Sequence, residues 1–184
     1  MIGIKNYIIE TLVIIGVLTL LLYSSNPVIY SDSGRYLNGS LHDPPLYSTI
    51  IALIQFIFGS LNAVIIFQTL FIGFSIIYFS RTVVFYFNLD LIIKSIIVLS
   101  LSLPIIQFYS NLLTEPISYA FSLLFVSFAI KLIYDLNIRN LFWYSFFVIA
   151  MLLTRNQFIF LYPVILLFYL GILFLNSKKK NYIY

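Results

Sequence analysis

Leu46-Tyr47-Ser48-Thr49-Ile50-Ile51-Ala52-Leu53-Ile54-Gln55-Phe56-Ile57-Phe58 is the stretch on which the fold turns. It is apolar, yet its thirteen residues make only about 20 Å of helix at ~1.5 Å per residue. A bilayer crossing takes about 20 apolar residues. Pro44-Pro45 opens the stretch and Gly59-Ser60 closes it, while Ser48, Ala52 and Gln55 fall at i, i+4 and i+7 as a narrow polar stripe. The expectation is an interfacial or re-entrant helix that lies along a membrane without crossing it.

The membrane enters through composition. Hydrophobic residues make up 62% of the 184-residue chain and charged ones 9%, against about 25% charged in soluble domains. Such a chain reads as an integral membrane protein, and its tyrosines gather near the ends of apolar runs as interfacial anchors do. The net charge of +4 is spread between those runs and the C-terminus, which leaves no nucleic-acid surface. With no cysteine there is no disulfide, thiolate metal site or Cys nucleophile.

Around the short helix, the apolar runs predict a single all-α transmembrane domain over residues 1–184, a polytopic bundle of about six spans. They are Tyr7–Tyr23, Leu61–Ser80 closed by Arg81, Leu91–Tyr109 with Lys94 snorkelling and Pro104 a candidate kink, Pro116–Tyr134, and a hairpin of Leu141–Leu153 and Phe158–Leu175. Lys5 followed by the apolar Thr11–Leu22 has the look of a signal peptide. No small-x-small cleavage pattern follows, so an uncleaved first span is expected, with Glu10 reaching back to the interface. No internal repeat or soluble domain is apparent.

Orientation rests on Lys and Arg, which favour the cytoplasmic side. Six spans put Lys5, Arg81, Lys94, Lys131, Arg139 and Lys178–Lys180 inside, eight cations against Arg35 and Arg155 outside. A seven-span arrangement, with Leu46–Phe58 crossing, scores the same eight to two. Length breaks the tie. In the six-span reading both termini are cytoplasmic, and Asp32, Asp43, Glu115 and Arg155 share the extracytoplasmic face of a multi-pass cell-membrane protein.

The polar chemistry sits in those outward loops. The loop over residues 24–45 carries Asp32, Arg35, Tyr36, His42 and Asp43, more than a tether between two spans needs. Asp32, between Ser31 and Ser33, suits either a turn or a general base. Glu115, after Thr114 and before Pro116, has the pattern of a helix start, and alternatively of a site acid. Arg155, at the tip of the Thr154-Arg155-Asn156-Gln157 hairpin, suits an interfacial anchor or a grip on an anionic headgroup, since guanidinium binds phosphate bidentately. His42, the only histidine, could complete a divalent-metal site with Asp32, Asp43 and Glu115, but no ligand spacing supports one, so no cofactor is the expectation.

Taken in succession, Ser31-Asp32-Ser33, His42-Asp43-Pro44-Pro45-Leu46-Tyr47, Phe58-Gly59, Leu113-Thr114-Glu115-Pro116 and Leu152-Leu153-Thr154-Arg155-Asn156-Gln157 resemble the GT-C membrane glycosyltransferases. The branch is that of the dolichyl-phosphate-mannose–protein mannosyltransferases and their bacterial relatives. The resemblance covers nearly the whole chain, and no single motif in it is specific. Ser33 stands where many relatives carry a second acid, and Asp43 interrupts the His-Pro-Pro order.

The resemblance implies transfer of a sugar from a polyprenyl-phosphate donor to an acceptor hydroxyl of protein, lipid or glycan on the outer face. Asp32 would be the base, Glu115 a second acid, and Arg155 the holder of the donor phosphate, with Arg35, His42 and Tyr36 as further substrate contacts. Leu46–Phe58 would flank the donor entrance among membrane lipids. Family members continue with further spans, so the resemblance also implies a missing C-terminal half. The competing reading is a non-enzymatic protein that binds or translocates polyprenyl-phosphate lipids. Ion or solute transport ranks below both, because the ionisable residues lie at span edges.

Overall fold

The computed structural model describes residues 10, 14–16, 19, 27–40, 42–108 and 110–181. Among them the chain is all-helical, with one isolated parallel bridge between Val28 and Asn111. A short helix α1 (Ser33–Leu37) is followed by α2 (Pro45–Phe58), α3 (Leu61–Phe87), α4 (Leu91–Phe108), α5 (Thr114–Tyr134) and α6 (Ile138–Leu152). A 3-10 turn over Asn156–Leu161 then leads into α7 (Tyr162–Asn181). Two of these helices, α3 and α5, are long and apolar enough to cross a membrane. The expected first span, Tyr7–Tyr23, lies outside the described residues apart from Glu10, Ile14–Gly16 and Thr19, which are helical.

Local chemistry sets most of the boundaries. Pro45 begins α2, where its missing N–H breaks no helical bond, and Gly59 ends it at φ 67°, a left-handed turn that glycine adopts without strain. Ser60 then caps α3, its hydroxyl accepting from the Asn62 amide at 3.1 Å. Asn137 caps α6 in the same way, with Oδ1 on the Asn140 amide at 2.8 Å.

Several boundaries differ from the sequence expectation. Arg81 does not close a span, since α3 continues through it to Phe87. Thr114 is not a cap but the first residue of α5, buried, with Leu113 before it in extended backbone. The expected helix from Phe158 is split into a 3-10 turn and α7. Pro163 explains the split, because it lacks the N–H that a continuous α-helix would donate to Ile159.

Helices α3 and α5 form the spine, and α6 packs on α5. Val64, Ile65, Ile117, Phe121, Leu124, Phe128, Phe147 and Met151 belong to one core cluster. Phe121 meets Phe71 edge-on at 5.2 Å, and Phe128 stacks on Phe147 at 5.6 Å. Helix α2 buries Tyr47, Ile51 and Ile54, so its inward stripe is apolar and lies beside the Ser48-Ala52-Gln55 line. Its opposite side is open hydrocarbon, with Phe56 89% exposed and Leu53, Ile57 and Phe58 also outward.

Two further expectations are corrected at the far end of the bundle. Glu10 does not reach back to an interface. It is 7% exposed and accepts from both Nε and Nη2 of Arg81. Lys94 does not snorkel either, being 2% exposed with its ammonium 3.2 Å from Glu10 Oε1. Burial strips water from Glu10 and Lys94, and pairing with each other and with the more exposed Arg81 offsets that cost.

Candidate functional site

Backbone and side-chain bonds draw the three polar loops to one end of the bundle. The Val28 amide donates to the Ser110 carbonyl at 2.8 Å, and the Leu112 amide donates to the Val28 carbonyl at 3.1 Å. Ser33, fully buried, donates its hydroxyl to the Leu112 carbonyl at 2.7 Å while accepting from the Tyr30 amide at 2.9 Å. On the other side the Leu46 amide donates to the Leu153 carbonyl at 3.0 Å. The turn holding Asp32 is thus pinned against the segment leading to Glu115, and the start of α2 against the hairpin that carries Arg155.

Glu115 and Arg155 meet directly. Arg155 Nη1 lies 3.0 Å from Glu115 Oε1, and the two side chains are 26% and 31% exposed. Both line a cavity of about 250 Å³ with Ile72, Pro104, Ser118 and Tyr119. Two polar atoms at this wall, Glu115 Oε2 and Ser118 Oγ, are buried without a hydrogen-bond partner among the described residues. A buried carboxylate oxygen with no donor is costly.

Tyr47 stands behind this pair. Its phenol donates to Gln68 Oε1 at 3.4 Å, and Gln68 Nε2 donates to the Asn111 carbonyl at 2.9 Å. Burial, together with the nearby Glu115 charge and Tyr36, pushes the Tyr47 phenol above the ordinary tyrosine range. Tyr47 is therefore a neutral donor that ties α2, α3 and the loop before α5 together.

The other residues of the first loop are placed differently. Asp32 is exposed and precedes the first turn of α1 without capping it through its side chain. Arg35, expected to contact substrate, holds Asp43, with Nη2 2.5 Å from Oδ1. Tyr36 packs edge-on to Tyr47 at 5.4 Å. His42 is exposed, its amide donating to Ser40 Oγ at 3.3 Å. No group of three His, Cys, Asp or Glu that could hold a metal occurs among the described residues.

Sequence reasoning missed Tyr47, Gln68 and Ser118. Gln68 carried a usable signal, an amide in the middle of an apolar run, where burial demands a partner. Tyr47 closed the His42–Tyr47 stretch, but nothing local marked it as a buried donor among fifteen tyrosines. Comparison with known protein families, curated proteins and solved structures finds no match for this chain.

Proposed function

We propose that the chain is a membrane glycosyltransferase, or the N-terminal part of one, moving a sugar from a polyprenyl-phosphate donor to an acceptor hydroxyl. The observation that carries the reading is the Arg155–Glu115 pair at a cavity wall, with one carboxylate oxygen still lacking a donor. In this reading Arg155 keeps free N–H groups for the lipid phosphate, since Glu115 engages Nη1 alone. Glu115 orients the guanidinium and accepts a hydroxyl of donor or acceptor through Oε2.

In the transfer step the acceptor oxygen attacks the anomeric carbon and the bond from that carbon to the phosphate oxygen breaks. The acceptor proton passes to Asp32, and the polyprenyl phosphate leaves with the electron pair held by Arg155. Solvent access suits a base that must meet an incoming acceptor and release its proton afterwards.

The membrane topology that goes with this reading has six spans, with α2 interfacial, both termini cytoplasmic and the Glu115 end outward. Two long apolar helices and the open hydrocarbon face of α2 support it. The test is transfer from a panel of polyprenyl-phosphate hexoses by membranes carrying the full chain, beside donor binding to the purified protein. Asp32→Asn should lower transfer by about 10²–10⁴ while donor binding persists. Near-normal transfer by that variant returns Asp32 to a turn residue. Donor binding without any transfer by the parent chain favours a lipid carrier instead.

A further inference from the structure

Toward the opposite end of the bundle a second cavity, of about 500 Å³, opens between α3, the C-terminal half of α5 and the N-terminal part of α6. It is separate from the Glu115 site, because Glu115 and Lys131 sit at the two ends of α5, about 24 Å apart at ~1.5 Å per residue. We propose that this cavity binds the phosphate of an anionic lipid headgroup.

Its charges are arranged for an anion. Lys131 and Arg139 both line it, and among the described residues neither has a carboxylate within ion-pair distance. The acid in the wall, Asp135, accepts at Oδ2 from the neutral amides Asn137 Nδ2 at 2.7 Å and Asn140 Nδ2 at 3.5 Å, so it keeps its charge and the two cations leave the lining one positive charge in excess. Lys131 does not stretch away to water as an interfacial lysine does. Its ammonium donates to Tyr78 Oη at 2.6 Å and stands over the rings of Tyr78 and Phe128, 4.4 and 5.0 Å from their centroids. The aromatic rings hold this cation inside the cavity and do not neutralise it.

A lipid source fits better than free phosphate. The walls are aromatic, with Phe74 and Trp143 both lining the cavity and partly open. They continue into the exposed Phe142 and Phe146 on α6, a surface along which acyl chains can lie while the headgroup reaches Lys131 and Arg139. The distance from the Glu115 end approaches the ~30 Å of a hydrocarbon core, which sets this cavity at the other headgroup layer.

Trp143 is the only tryptophan in the chain and forms part of the wall, so its fluorescence reports occupancy. The full-length protein in neutral detergent is titrated with short-chain phosphatidylglycerol, short-chain phosphatidylcholine and inorganic phosphate. The expected result is a saturable emission change with phosphatidylglycerol alone. Its half-saturation should rise about 10- to 100-fold in the double variant Lys131→Gln, Arg139→Gln, with Arg139→Lys between that and the parent. An equal response to phosphatidylcholine, or an unaltered response in the double variant, overturns the proposal. An equal response to inorganic phosphate overturns the lipid source and leaves a free-phosphate site. Should the double variant fail to fold, Arg139→Gln alone carries the test, since Arg139 is exposed and makes no described hydrogen bond. Arg155→Ala should leave the response unchanged, so this site and the glycosyl-transfer reading can fail separately.

Discussion

Arg155 Nη1 stands 3.0 Å from Glu115 Oε1, joining the hairpin after α6 to the first turn of α5. Both ends of the pair remain partly open to solvent. Solvent-screened pairs stabilise a fold by about 0–1 kcal/mol, and this part-exposed pair joins only two side chains at one oxygen. The buried, donorless Oε2 beside the pair adds a cost that a ligand hydroxyl would offset.

Arg155→Ala should therefore change stability by less than about 1 kcal/mol and weaken polyprenyl-phosphate binding about 10- to 100-fold. Arg155→Lys keeps the charge but loses the planar fork, so its affinity should fall between the two. Native mass spectrometry or calorimetry on the detergent-solubilised protein measures all three. Parent-like affinity in both variants removes Arg155 from the donor site.

Ser33→Ala should loosen the turn that carries Asp32. The substitution leaves the Leu112 carbonyl and the Tyr30 amide without their shared hydroxyl. Loss of such buried bonds costs about 1–3 kcal/mol. A lowered melting temperature, with faster protease cleavage between residues 27 and 43, is the expected outcome. An unchanged melt and cleavage rate would show that the turn is held by its backbone bonds to Ser110 and Leu112 alone.

Glu10→Gln should destabilise the far end of the bundle. Lys94 is buried and loses its carboxylate, and Arg81 loses the same partner. Removing one member of a buried ion pair costs up to about 3–5 kcal/mol. Arg81→Ala should cost less, because the Arg81 side chain is 58% exposed. Restoring much of the loss with Glu10→Leu combined with Lys94→Leu would mark the pair as a matter of burial. Equal melting temperatures for Glu10→Gln and the parent would refute the account.

Most helix starts among the described residues were legible in the sequence because apolar runs and their Pro, Gly and Asn boundaries are local signals, whereas the end of α3, seven residues past Ser80, and the break before Tyr162 were not. The short helix after Pro44-Pro45 was legible for the same reason. Pairings between distant residues were not. Glu10, Arg81 and Lys94 each read singly as an interfacial group, and only packing shows that they share one buried spot. Arg35 likewise read as a substrate contact and Asp43 as a loop acid, although they bind each other. Glu115 and Arg155 were singled out by type and place, but their direct contact, and the Tyr47–Gln68 support behind it, depend on how α2, α3 and α5 meet.

The arrangement of α2 gives the last prediction. Ser33 and Leu46 are bonded to Leu112 and Leu153, so the loop before α2 and both later loops lie at one end of the bundle. A crossing by α2 would put that first loop on the opposite side from the others, so the proposed topology keeps α2 on one side. Ser33 is buried and unsuited to labelling, but Ser31 and Ser60 are exposed, and Leu136 is exposed at the far end. The chain has no cysteine, so Ser31→Cys, Ser60→Cys and Leu136→Cys each supply a single thiol. In intact cells an impermeant maleimide should label the first two, and Leu136→Cys only after permeabilisation. Labelling of Ser60→Cys without Ser31→Cys would mean that α2 crosses. Asp32 would then face the other compartment from Glu115 and Arg155, and no shared glycosyl-transfer site could be built from them.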